Sequence, residues 1–178
     1  MSPAAPRPTR PPPEEYAPFY AGYVDAVGDQ DPFELLETQF GEVERLLAEV
    51  ERDEELAPYA PGKWSVKEVL VHLSDAERIF STRILRLARG DATPLPGYEQ
   101  DGYATASRAD ERSLANILAE LYAVRASTLA LLWSLDEEAF TRRGTASDAP
   151  TSVRALLWII PGHMKHHIGV LRDKYGLG

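Results

Sequence analysis

The chain contains no cysteine. That one absence excludes disulfides, thiolate metal ligands and a protein thiol nucleophile, and leaves imidazole and carboxylate as the metal-binding side chains. Histidine is scarce, four in 178 residues, so where the four fall carries information. No apolar run reads as long enough to cross a bilayer, and no membrane partner is expected. The N-terminus lacks the apolar core of a secretory signal, so a cytoplasmic location is the expectation. Positive charge is also short. Nineteen Lys and Arg stand against 28 Asp and Glu, a net charge of -9. A phosphate backbone is bound by a dense basic patch, and none is present. Nucleic acid is therefore not an expected partner, whereas a small-molecule substrate is.

What is present divides into two parts. Residues 1–30 are rich in proline, with Pro11-Pro12-Pro13 at the centre. Proline fixes φ and has no N–H, so the segment is expected to be extended. Tyr16, Phe19, Tyr20 and Tyr23 give it apolar grip on its own domain or on a neighbouring subunit. Residues 31–178 carry helical periodicity. The whole chain's 44% hydrophobic and 26% charged side chains fit one globular domain with a real core.

Four long helices are predicted there. The first opens at Asp31-Pro32, an N-cap followed by proline at the first helical position. Its stripe is Leu36, Phe40, Val43, Leu47 and Val50, and it is expected to end in the charged run 51–55. The second opens at the capping box Ser65-Val66-Lys67-Glu68 and runs to Gly90. Trp64 precedes the cap, as a staple against the bundle. A long loop over 91–110 carries Tyr98, Asp101 and Tyr103, which read equally as a pocket mouth or as surface packing. The third helix spans about Asp110 to Trp133, and a short turn opens near Ser134-Leu135-Asp136. Residues 141–150 read as a loop or hairpin. The fourth helix starts at Thr151 or Ser152 and stops at Gly176.

The fourth helix holds three of the four histidines. Residues four apart share a helix face, so His163 and His167 point at one centre, as half of a transition-metal site does. The row Leu156, Ile160, His163, His167, Val170 and Lys174 follows a 3-4 spacing and marks the core-facing seam. The row through Ile159, Gly162, His166 and Gly169 is poorer in large apolar groups, which puts His166 at the edge of the core. Pro161 and Gly162 weaken the helix just before His163, and a bend is expected there, either to shape a site or to clear a neighbour. The fourth histidine, His72, lies on the apolar second helix, with Asp75 near the same face. These positions fit either a metal site or a buried hydrogen-bonded imidazole cluster.

The strings WSVKEVLVHLSDAERIF (64–80), LPGYEQDGYA (95–104) and RALLWIIPGHMKHHIGVLRDKYG (154–176) resemble the DinB-like (YfiT-like) superfamily. The resemblance covers the chain from about residue 31. It implies an all-α four-helix bundle behind the proline-rich segment. It also implies a divalent metal, zinc or nickel, held by His72, His163 and His167, and pairing into a homodimer. Relatives include enzymes that use a low-molecular-weight thiol such as bacillithiol or mycothiol. A thiol-dependent S-transferase, with the metal activating the thiol, is thus the first expectation for function. A metal-dependent hydrolase with metal-bound hydroxide as nucleophile is the second, and a non-catalytic metal- or ligand-binding stress protein the third. Three neutral imidazoles leave the ion charged and with an open position, the mark of a catalytic site. Imidazole ligands usually donate their other N–H to a carboxylate or a carbonyl. Asp75 is the preferred acid/base or supporting group, with His166 as a second candidate base. Glu68 is otherwise read as a cap, and Glu77 as a solvated or ion-paired residue.

Overall fold

The computed structural model describes residues 7–48 and 50–178. Four long helices form the frame: α2 (Pro32–Leu47), α4 (Val66–Ala88), α6 (Leu114–Trp133) and α8 (Val153–Tyr175). Helix α4 packs on α6 and α8, and α2 packs on α8 and α6. Shorter elements join them: α1 (Ala21–Val27), α3 (Arg52–Glu55), α5 (Gln100–Ala106), α7 (Glu137–Thr141), and the strands β1 (Arg143–Ala146) and β2 (Ala149–Ser152).

The long helices begin at side-chain caps. Asp31 accepts from the Phe33 N–H, and Ser65 and Glu68 close the expected capping box. Ser113 accepts from the Asn116 N–H, and Ser152 from the Ala155 N–H. Each cap satisfies one N–H that the first turn leaves open, for about 1 kcal/mol. Helix α8 ends at Gly176, whose φ of 70° is cheap only for glycine.

Several boundaries differ from the sequence expectation. Helix α2 stops at Leu47, because Glu51 and Glu54 form a capping box of their own and start α3. The 91–110 stretch is not all loop. Gln100–Ala106 is helical, and Ala109–Glu111 makes a 3-10 turn. Asp110 therefore does not open the third helix; its carboxylate accepts from Ser65 Oγ at 2.6 Å instead. The polar residues after α7 form an antiparallel hairpin, turning at Ser147 and Asp148 with φ of 52° and 60°. Two successive left-handed residues match the turn that suits a twisted hairpin. Leu95 bridges to Ala146, which ties the 91–99 loop to the hairpin. By length and composition α6 is apolar enough to cross a membrane, contrary to expectation. Its Ile117, Leu121, Val124 and Leu132 nevertheless lie in the bundle core.

The proline-rich segment is not simply extended. Its first six residues lie outside the described ones. Pro13–Glu15 and Pro18–Tyr20 form 3-10 turns, and α1 follows. After Pro18 no proline occurs until Pro32, so the backbone N–H groups between them are free to make a helix. The segment is fixed to its own bundle by Glu15, which is fully buried. Arg154 and Ser152 Oγ donate to its carboxylate at 2.5–2.7 Å, and Arg143 donates as well. Burial pushes the Glu15 pKa up, but the bonds from Arg154 and Ser152 and the two guanidinium charges outweigh it and hold it below its usual range.

Candidate metal centre

Helix α4 brings His72 to the interior, and α8 brings His163 and His167 one turn apart. The three side chains each offer a ligand atom, and these atoms lie within 4.8 Å of one another. His72 Nε2 and His163 Nε2 face each other at 3.0 Å. Ring centroids are 5.0 Å apart for His72 and His163, 4.9 Å for His72 and His167, and 4.6 Å for His163 and His167. The convergence expected from spacing and from the family resemblance is present.

Aromatic neighbours hold the rings. Trp64 lies 4.7 Å from the His72 ring, so it packs on the site as well as at the helix start. Tyr23 of α1 stands edge-on to His163 at 5.3 Å, and Phe80 does the same at 5.8 Å. Tyr23 is the contributor that sequence reasoning missed; its aromatic character was legible, but its target was not.

The approach of α1 depends on Gly162. A Cβ at that position would stand 2.0 Å from the Tyr23 carbonyl oxygen. The glycine that weakens α8 thus also admits a second backbone. Helix α8 runs unbroken through Pro161, whose carbonyl accepts a hydrogen bond from buried Gln39 Nε2 at 2.8 Å.

Burial keeps the imidazoles neutral. It pulls the His72 pKa down to about 4, against the pull of the Asp101 carboxylate and with help from His166. It pulls His167 down to about 3, with the neighbouring His72 and His166 adding to the effect. His163 lies well below its ordinary value, again mainly through burial. A neutral imidazole has a free lone pair, which is what a cation needs. Two neutral rings facing through Nε2 share at most one proton, and His167 Nδ1 is buried without a partner among the described residues. A bound cation would satisfy the facing lone pairs of His72 and His163, so the donor set fits a divalent metal.

The other sequence candidates fall in different places. His166 is exposed, its ring 5.0 Å from that of His167 and 5.5 Å from that of Tyr23. Asp75 is half-buried, and its carboxylate accepts from Arg78 at 3.4 Å. Burial raises its pKa, with Arg78 opposing. Among the described residues no hydrogen bond joins Asp75 to an imidazole. Glu68 is spent on its cap, and Glu77 forms a buried pair with Arg125 at 2.8 and 2.9 Å. Tyr98 and Tyr103 do line cavities. Asp101 lies near enough to act on His72 electrostatically.

A cavity of about 420 Å³ opens on His163. Tyr20, Tyr23, Phe80, Tyr98 and Glu99 share its wall. Glu99, which was not a sequence candidate, is the carboxylate among the residues lining this cavity.

The sequence profile described as the DinB superfamily matches residues 35–171. This chain belongs to the DinB superfamily. Among curated proteins no relative matches the chain. Among solved structures it is similar to YfiT from Bacillus subtilis, described as a probable metal-dependent hydrolase with an unusual four-helix bundle topology. The TM-score is 0.71 at 19% sequence identity, over 92% of this chain and 95% of that one. The two therefore share the four-helix fold, as the DinB-like sequence strings implied.

Proposed function

We propose that this DinB-superfamily protein is a metal-dependent enzyme for small organic substrates, with hydrolysis as its reaction. The observation that carries this reading is the convergence of three neutral imidazoles beside an open cavity. His72, His163 and His167 would hold the ion, zinc or nickel by the imidazole donor set. Bound there, a divalent ion supplies Lewis-acid chemistry and lowers the pKa of a coordinated water or thiol.

The chain's own residues do the rest. Burial keeps all three rings neutral, each with one nitrogen lone pair to offer, so no ligand must discharge a positive charge at neutral pH. Trp64, Tyr23 and Phe80 fix the ring planes by packing. Tyr20, Tyr23 and Tyr98 give the substrate an aromatic wall. Glu99 is the carboxylate on that wall, and we place it as acid/base candidate ahead of Asp75, which Arg78 engages. His166 stands outside, exposed to solvent. The described function of YfiT supports the same reading by analogy of fold.

A thiol-dependent S-transferase is the second reading. A neighbouring cavity of about 310 Å³ shares Gly97 and Tyr98 with the first, so two molecules can sit side by side, as transfer between them requires. Turnover of a panel of aryl esters and aryl electrophiles by zinc- or nickel-loaded protein separates the readings. Hydrolysis predicts ester cleavage without added thiol, abolished by a chelator. Turnover that appears only with a low-molecular-weight thiol gives the second reading. No turnover with either, at full metal occupancy, contradicts both.

A further inference from the structure

The neighbouring cavity holds a cation that the bundle does not neutralise. Arg78, Arg83 and Arg86 all line it. Arg78 is paired with Glu120 at 2.6 Å and Arg86 with Asp91 at 2.6 Å. Arg83 is 3% exposed and has no carboxylate within ion-pair distance among the described residues. Its Nη2 donates to the Pro96 carbonyl oxygen and to Ser147 Oγ, each at 2.9 Å. Its Nε and Nη1 donors find no acceptor among the described residues. Neither atom is among the buried side-chain atoms left without a partner, so solvent reaches both, and an anion in the cavity can take the place of that water.

The remaining wall sets the kind of anion. Ile79, Leu95 and Pro96 are apolar, and the rings of Tyr98 and Tyr103 meet edge-on at 5.2 Å. Burial raises the Tyr98 pKa to about 12, so its phenol stays neutral and can donate. A bare, strongly hydrated anion would gain nothing from the apolar and aromatic surfaces. A flat apolar body with one planar anionic head would use both, because the guanidinium fork matches a carboxylate.

We propose that this cavity is a binding subsite for an aryl carboxylate, with Arg83 holding the carboxylate and the edge-on Tyr98–Tyr103 pair packing on one side of the ring. Tyr98 and Gly97 also line the cavity that opens on His163, so the bound acid sits next to the three-imidazole centre. As an anchor for a substrate the subsite rests on the enzymatic reading above. As a binding site it stands without it.

The test is benzoate binding to the full-length, metal-free protein, followed by calorimetry and by amide and Arg Nε–H chemical shifts. Inorganic phosphate is the comparison probe. Because Arg83 also ties the 91–99 loop to the hairpin, the decisive variants are at exposed Thr82, which lines the same cavity. Thr82→Glu puts a competing carboxylate beside Arg83, and Thr82→Lys adds a charge of the other sign. The expected result is one benzoate per chain, with shifts at Arg83, Ile79 and Tyr98. Thr82→Glu weakens it tenfold or more, Thr82→Lys does not weaken it, and phosphate binds at least tenfold more weakly. Benzoate binding that Thr82→Glu leaves intact, phosphate binding as tight as benzoate, or no benzoate binding would each overturn the proposal. Failure here leaves the metal centre untouched, since no metal is present. Failure of the metal centre would in turn leave benzoate binding unchanged.

Discussion

Gly162→Ala tests whether the close approach of α1 to α8 is as tight as described. The added Cβ would stand 2.0 Å from the Tyr23 oxygen and 2.6 Å from its carbonyl carbon. Both are backbone atoms, so no side chain can swing aside. Ordinary contact begins at 3.4 Å, and 3.4 minus 2.0 leaves 1.4 Å for α1 to move. Overpacking of this kind costs about 1–3 kcal/mol, and a backbone clash this deep belongs at the upper end. Releasing α1 altogether would expose Val24 and Val27, each worth about 1.5–3 kcal/mol, so displacement is the cheaper response. Alanine returns about 1 kcal/mol in helix propensity. The net expectation is a loss of about 2 kcal/mol, or about 4–8 °C in Tm for a chain of this size. Gly169→Ala in the same helix is the control. Nothing lies within 4 Å of its Cβ, so it should gain about 0.5–1 kcal/mol. Thermal unfolding by circular dichroism reads both variants, and amide exchange across α1 locates the change. The reasoning is refuted if Gly162→Ala melts at or above the wild-type temperature.

Removing the metal with a chelator should lower Tm, since an ion at a hundred times its Kd contributes about 2.7 kcal/mol. His163→Ala should make Tm indifferent to added zinc. The metal-free protein should lose stability as pH falls. The folded pKa values of His72 and His167, about 4 and about 3, lie below the ordinary 6.5, so between those values the unfolded chain binds more protons. That stability is complete above pH 6.5 and drains as pH falls toward 4 and then 3, which urea titrations at successive pH values would follow. Breaking the buried pair by Glu77→Leu alone should cost about 3–5 kcal/mol, whereas Glu77→Leu with Arg125→Met should recover most of it. Equal losses in the single and double variants would show that the pair's charges are not the cause. Glu15→Gln should cost about 1–3 kcal/mol in urea unfolding, because Arg143, Arg154 and Ser152 lose a charged acceptor.

The long helices were legible because local signals and periodicity agreed. Ser65 and Glu68 closed the box their spacing announced, and Gly176 stopped α8 where expected. Placing His72, His163 and His167 together needed both the i, i+4 spacing and the family resemblance. What stayed hidden depended on contacts distant in sequence. Nothing local about Gly162 says that Tyr23 will need its space. Nothing local about Trp64 says that it will lie on His72, or about Glu99 that it will face the His163 cavity. Proline content misled at α1, where a free run of N–H groups follows Pro18. Glycine and proline likewise concealed α5 within what read as a loop.

The most direct test of the central claim is X-ray absorption at the metal edge of protein loaded with one equivalent of zinc. The account predicts one ion per chain with three imidazole nitrogens at about 2.0–2.1 Å, and a signal that loses one imidazole in His72→Ala. An ion with only oxygen neighbours, or a spectrum unchanged by His72→Ala, would contradict it.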